Sequence, residues 1–282
     1  MKAPLRTLAD LVRAPAALSV PGDVIAGAAA AGTLGRRTAG LAGASVCLYW
    51  AGMAANDWAD RELDAVERPE RPIPSGRISA PAALGLAAGL TATGLALAAR
   101  AGGVRALAVA GPLAAAIWAY DLRAKNTAAG PAGMAACRGL DVLLGASPGD
   151  PVRAVPAALV VAAHTYTVTE LSRREVSGGA GAALPSATLA ATAGLAAAVA
   201  ARGTPATAML AGEYLTSYGR AQVRLFADPA ASTVRKAVGA GITALPALQG
   251  ALTARAGRNW LGVAVAAAAP LGRLLARKVS PT

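Results

Sequence analysis

The chain has 282 residues, 55% of them apolar and 15% charged, with a mean hydropathy of +0.47, which is too apolar for an ordinary soluble domain and excludes a disordered one. Its 27 basic and 15 acidic residues leave a net charge of +12. These charges gather between apolar runs, and aromatics are too scarce for a base-stacking platform, so nucleic acid is a poor partner. The runs are rich in Ala, Leu, Gly and Val without period-two alternation, which argues against a transmembrane β-barrel. Cys47 and Cys137 both lie inside such runs, so neither a disulfide framework nor a zinc site is indicated.

In chain order, residues 1–20 are basic and interrupted by prolines, lack a convincing cleavage site, and read as a cytoplasmic lead-in. A helix needs about 20 apolar residues to cross the hydrocarbon core. Runs near that length follow at 21–34, 41–55, 80–99, 104–120, 131–146, 155–171, 184–201, 233–252 and 259–275, predicting nine transmembrane helices. A tenth is an open alternative at 205–226, where Glu213, Ser217, Arg220 and Arg224 share one stripe at helical spacing. That stretch reads either as an amphipathic surface helix or as a span whose polar stripe faces a cavity. The expected fold class is all-α, a polytopic membrane bundle of nine or ten helices around a central cavity, with residues 1–282 forming one domain.

Lys and Arg set the orientation. With the amino terminus inside, the inner segments hold Lys2, Arg6, Arg13, Arg61, Arg68, Arg71, Arg77, Arg123, Lys125, Arg173 and Arg174, and the outer ones hold Arg36, Arg37, Arg100, Arg105, Arg153 and Arg202. Eleven against six favours that orientation and a multi-pass protein of the plasma (inner) membrane. Beyond Arg202, the residues Arg273, Arg277 and Lys278 fall inside only after ten spans. Three polar clusters, at 56–79, 121–126 and 170–179, then emerge together on the cytoplasmic side. The positive-inside rule accounts for their arginines but not for their grouped carboxylates.

The first cluster opens with Asn56-Asp57-Trp58-Ala59-Asp60-Arg61-Glu62-Leu63-Asp64. Carboxylates at i, i+3 and i+7 project from one helical face, where they repel unless a cation joins them. Mg²⁺ suits that role, because it takes hard oxygen ligands and usually shares one or two carboxylates with substrate phosphates. Asn56, Asp57, Asp60 and Asp64 reproduce the NDxxDxxxD motif of the UbiA superfamily of intramembrane prenyltransferases. Arg68-Pro69-Glu70-Arg71-Pro72-Ile73-Pro74-Ser75-Gly76 resembles that family's RxxRPxxxG continuation, and Tyr120 to Lys125 is similar to its Tyr-and-basic loop.

The resemblance implies a helical bundle with a lateral, lipid-accessible cavity and two acidic motifs that bind Mg²⁺ and an isoprenoid diphosphate. It implies prenyl transfer to an aromatic or other small acceptor. On this reading Asp57, Asp60 and Asp64 are catalytic and bind metal together with Glu170. Asn56, Arg68, Arg71, Tyr120, Arg123, Lys125, Arg138, Tyr166, Arg173 and Arg174 contact the substrates, the cations neutralising the diphosphate.

The second acidic motif departs from the family pattern. Glu170 stands at its first acidic position, but Arg174 occupies i+4 and is expected to pair with it. Arg173 and Arg174 then either bind phosphate directly or form a helix-end ion pair. The run Thr169-Glu170-Leu171-Ser172-Arg173-Arg174-Glu175-Val176-Ser177-Gly178-Gly179 is similar to the EboC-like branch of the superfamily, which implies a secondary-metabolite setting. A non-catalytic protein that binds or translocates a lipid diphosphate or metabolite precursor is the alternative function. Inside the apolar runs, Arg138 and Asp141 are expected to neutralise one another or to line a wet cavity. His164 is expected to be a packed histidine and Asp23 a helix cap. Tyr120 and Tyr166 are candidates to face a carbocation.

Overall fold

A computed structural model of the chain describes residues 2–13, 19–179, 181–201 and 203–268, and among these the regular structure is helical, without strands. The helices are α1 (Lys2–Leu11), α2 (Val20–Ala30), α3 (Arg36–Ala59), α4 (Arg61–Glu67), α5 (Ala80–Ala119), α6 (Gly130–Ala146), α7 (Val155–Ser172), α8 (Ala183–Ala200), α9 (Pro205–Ala227), α10 (Ala231–Arg255) and α11 (Asn259–Ala266). Proline occupies the first or second helical position of α2, α5, α6, α7 and α9, where its missing N–H costs no helical hydrogen bond.

The 40 residues of α5 would measure about 60 Å if straight, twice the hydrocarbon thickness. They fold back instead. Gly103 leaves the helical region at φ 66°, ψ −154°, and Trp118 Nε1 donates to Thr91 Oγ1 at 3.0 Å. That contact spans 27 residues and requires the arms on either side of Gly103 to run antiparallel. Both arms pack on α3, one through Gly94 against Leu48 and the other through Ile117 against Gly52. The predicted runs at 80–99 and 104–120 are these two arms.

Among the described residues, length and composition qualify five helical stretches to cross a membrane, namely Arg36–Ala59, Ala80–Ala124, Pro151–Ser172, Ala183–Ala200 and Ala231–Arg255. The end of the 259–275 run, and Arg202, Arg273, Arg277 and Lys278, lie outside the described residues. The doubtful stretch at 205–226 is α9. It buries Tyr214, Tyr218 and Leu225 against neighbouring helices, while Glu213, Ser217, Arg220 and Arg224 line a cavity. It is therefore a packed helix with a polar stripe and does not lie flat on a surface.

Among the described residues two large apolar clusters fill the bundle, one centred on α7, α9 and α10, the other on α3, α5 and α6, and a smaller third joins Leu11 of α1 to Ala54 and Ala55 of α3 and Ala83 and Ala87 of α5. The pair α2 and α6 contributes residues to both large clusters and forms the seam between them. Their backbones touch at glycines. A Cβ on Gly27 would lie 1.8 Å from the Val142 carbonyl oxygen, and one on Gly145 would lie 2.0 Å from that of Val24. Small residues that let backbones approach are how helices associate where lipid supplies no hydrophobic drive. Gly27→Val should therefore lower stability by about 3 kcal/mol or more, read as a fall in the thermal midpoint in detergent. An unchanged midpoint would show that the seam is not the close contact described.

Candidate functional site

Three polar segments meet at one end of the bundle, where α3 ends. Asp57 sits on the last turn of α3 and Asp64 in α4. Asp60 joins them at φ −87°, ψ 1° while the hydrogen bonds run on, Asp60 N to Asn56 O at 2.9 Å and Asp64 N to Asp60 O at 2.8 Å. Asp57 and Asp64 are 3% and 1% exposed, so each carboxylate needs a cationic partner to tolerate burial. Arg71 supplies it for both, its Nη1 lying 3.3 Å from Asp57 Oδ1 and 2.6 Å from Asp64 Oδ2. The loop after α4 makes this possible. It turns back on itself through Arg71 N to Arg68 O (3.0 Å) and Ile78 N to Pro72 O (3.1 Å), returning Arg71 over the acids.

Further cations complete the cluster. Arg13 Nη2 lies 2.9 Å from Asp57 Oδ1, and Arg68 Nη1 lies 3.6 Å from Asp64 Oδ1. Arg13 holds a left-handed backbone at φ 44°, a conformation that costs a non-glycine residue of order 1–3 kcal/mol. The three aspartates do not share one partner as the i, i+3, i+7 spacing implied. Asp60 turns away from Arg71 toward Lys125, whose Nζ is 2.6 Å from Asp60 Oδ1 and 2.9 Å from Asn56 Oδ1. Lys125 follows a π-helical turn at Tyr120–Ala124 closed by Lys125 N to Tyr120 O at 3.0 Å, a local widening often found at functional sites.

That turn also places Asp121, buried and in close contact with α3. A Cβ on Gly52 would lie 2.7 Å from its Oδ2. Asp121 and Arg13 were both missed as site residues. Asp121 sits inside the YDLRAK stretch, where only the tyrosine and the basic residues drew notice, and Arg13 counted only toward orientation. With them the mouth holds four carboxylates (Asp57, Asp60, Asp64, Asp121) against four cations (Arg13, Arg68, Arg71, Lys125).

The second acidic stretch joins this end through Arg173, whose Nη1 donates to the Thr127 carbonyl oxygen at 2.7 Å. Glu170 pairs with Arg173 at i+3, at 3.9 Å, and not with Arg174 as expected, because the helical turn is already ending there. Arg123 and Arg174 are exposed and form no ion pair among the described residues. Tyr120 is half-buried, and Tyr166 is 47% exposed on α7.

Two turns deeper on α3, about 12 Å from Asp57 by helical rise, lies a second polar cluster. Arg138 Nε is 2.7 Å from Asp23 Oδ2, and its guanidinium stands 5.5 Å from the Tyr49 ring centroid. Arg138 thus pairs with Asp23 on α2 and not with Asp141, because the glycine contacts press α2 against α6. Asp141 instead accepts from Ser45 Oγ. Asp23 is no helix cap, since its other oxygen accepts from Gln249 Nε2 at 2.6 Å. His164 is packed as expected, its Nδ1 3.0 Å from the Tyr214 hydroxyl between two tyrosine edges.

Among the described residues no three Asp, Glu, His or Cys side chains surround one point. The donor chemistry nonetheless fits a hard divalent cation. Asp57 and Asp64 already share one cationic nitrogen, and Mg²⁺ is usually held by just one or two carboxylates, with substrate phosphates supplying other oxygens.

The model of the UbiA prenyltransferase family matches residues 18–278. The digeranylgeranylglyceryl phosphate synthase of Ignicoccus hospitalis is 43% identical over 88 residues, 31% of this chain and 29% of that protein. The bacteriochlorophyll synthase 33 kDa chain of Rhodobacter capsulatus is 62% identical over 40 residues, 14% of this chain and 12% of that protein. The matched stretches thus span less than a third of either relative. Among solved structures, one of a digeranylgeranylglyceryl phosphate synthase superposes with a TM-score of 0.66 over 91% of this chain and 99% of that one at 17% identity. The apo structure of a UbiA homolog from Aeropyrum pernix K1 gives 0.64 over 84% and 96% at 19% identity. At such identities the likeness is one of fold.

Removing Arg71 leaves Asp57 with Arg13 alone and Asp64 with the more distant Arg68. Arg71→Ala should therefore cost about 3 kcal/mol, the low end for breaking a buried pair, measured by denaturation in detergent. A loss below about 1 kcal/mol, as for a surface ion pair, would contradict the placement of Arg71.

Proposed function

The chain belongs to the UbiA prenyltransferase family, whose members transfer prenyl groups, and on that premise we propose that it moves a prenyl group from an isoprenoid diphosphate to a small acceptor within the membrane. The observation that carries this reading is the electrical balance of the mouth. The four cations of the mouth, Arg13, Arg68, Arg71 and Lys125, are each engaged by Asp57, Asp60 or Asp64, so a diphosphate that is to meet them calls for a further cation to take over those carboxylates. Bound by Asp57, Asp60 and Asp64, Mg²⁺ would bring that charge and polarise the phosphoryl oxygens. Glu170, facing Arg173, is left out of this set.

The chain's own side chains do the rest. Arg71 and Arg13, freed in part from Asp57, and Lys125 on its π-helical turn point donors toward the place where the headgroup sits. Arg123, Arg173 and Arg174 stand at the same end as further phosphate partners. As the allylic C–O bond stretches, negative charge grows on the departing diphosphate, and cations already fixed there lower the barrier without reorganising. The apolar arms of α5 and the α3 face beneath keep water from the electron-poor carbon. The acceptor then supplies the electron pair for the new bond and loses a proton. Arg138 and Tyr49 of the deeper cluster would then meet its polar part.

The arginine and lysine distribution supports placing this end on the cytoplasmic face of the plasma membrane. The resemblance of 169–179 to the EboC-like branch supports an acceptor from secondary metabolism. One observation favours a carrier that binds a lipid diphosphate without turnover, namely that Glu170 is engaged by Arg173 and, among the described residues, no cluster of acids forms around it.

The purified protein, given an allylic diphosphate, acceptor candidates and Mg²⁺, should release pyrophosphate. Asp57→Ala or Asp60→Ala should cut the rate by about 100-fold or more, and chelation should do the same. An unchanged rate in the variants would remove the assigned site, and tight binding with no release would favour the carrier.

A further inference from the structure

α9 and α10 form a hairpin whose turn lies at the same end as the acidic mouth. Gly179 N donates to the Pro229 carbonyl oxygen at 3.0 Å and Arg235 Nη1 to that of Glu175 at 2.8 Å, tying the hairpin to the connection that carries Arg173. Near this turn the two helices leave a cavity of about 320 Å³, walled by Arg220 and Arg224 of α9 and by Thr233 and Lys236 of α10, with Glu213 and Ser217 at its side.

The positive charge in this wall is only partly compensated from within. Arg220, Arg224 and Lys236 have no ion-pair partner among the described residues. Of the nearby acids, Glu213 accepts from Ser217 Oγ at 2.8 Å, and Asp228 accepts from Thr233 Oγ1 and from Ala230 N. Those two hydrogen bonds, and then Lys236, hold the Asp228 carboxyl below its usual range, so Lys236 is only partly offset. Three features work against leaving such a wall empty of anions. Arg220 and Arg224 are four residues apart on one helix face and repel each other. Lys236 faces the same void from α10 and adds a third like charge to it. All three line one void, whereas cations that merely set membrane orientation need only stand in loops.

Guanidinium groups suit phosphate, which takes their forked hydrogen bonds. Val223 and Phe226 stand exposed on the same two turns of α9, outside the cavity wall. Basic pockets between helices at this membrane level are where anionic headgroups bind. The geometry points to a phosphate site between α9 and α10, separate from the acidic mouth, that takes the headgroup of an anionic membrane lipid. Inorganic phosphate has the same recognition chemistry and is the other source to separate. The site stands whether or not the chain transfers prenyl groups.

The full chain is melted in nanodiscs of phosphatidylcholine, in nanodiscs doped with phosphatidylglycerol, and in phosphatidylcholine with inorganic phosphate added. A lipid site raises the midpoint with phosphatidylglycerol by about 5 °C, and a free-phosphate site raises it with the inorganic ion. Either shift supports a phosphate site if it is lost in the Arg220→Gln, Arg224→Gln, Lys236→Gln triple variant and kept in an Arg37→Gln, Arg100→Gln, Arg105→Gln control at the other end of the bundle. Should the groove triple fail to fold, Arg220→Gln alone is expected to lose at least half of the shift. No shift with either addition, or an equal shift in wild type and groove variants, overturns the proposal.

Discussion

Burying an ionised carboxylate in an apolar bundle is tolerable only when a cation reaches it, and the polar end of this molecule is built around that requirement. Asp57 and Asp64 are almost fully enclosed, and a single guanidinium nitrogen of Arg71 touches both. The proline-rich loop folds back because Arg71 must return to the acids. Arg13 holds a left-handed backbone while it reaches Asp57. A charge left alone there would cost several kcal/mol, more than the strain the loop and Arg13 accept.

The same requirement divides the polar interior into two levels. At the mouth, the acids pair with cations of which Arg13 and Arg68 reach water, so an incoming anion and a metal ion can rearrange them. Deeper, Asp23 of α2 holds both Arg138 of α6 and Gln249 of α10, where α2 and α6 are held in place by direct glycine-to-backbone contact. An exchangeable upper cluster above a rigid lower one suits a molecule that admits a charged headgroup and keeps its tail and acceptor dry.

Much of this was legible in the amino-acid order. The apolar runs fall on helices because a period of about twenty apolar residues has few other uses. The break at Gly103 could be placed from the charged and glycine residues around it, and the acidic face at 57–64 from its spacing. Pairings between distant helices were not legible. Arg138 and Asp141 are three apart and suggest each other, yet the close approach of α2 makes Asp23 the partner. Asp60 shares a face with its neighbours by spacing, but a π-helical turn with no sequence signature carries Lys125 to it. Polar stripes such as that of α9 fit a surface helix and a buried one equally, and only the packing of Tyr214 and Tyr218 decides.

The most direct test of the central claim is a calorimetric titration of the protein with a non-reactive prenyl thiodiphosphate, in the presence and absence of Mg²⁺. If the balanced mouth needs one more divalent charge to accept a diphosphate, binding appears only with the metal and disappears in Asp57→Asn even though that variant remains folded. Equal affinity without metal, or undiminished affinity in Asp57→Asn, would contradict the account.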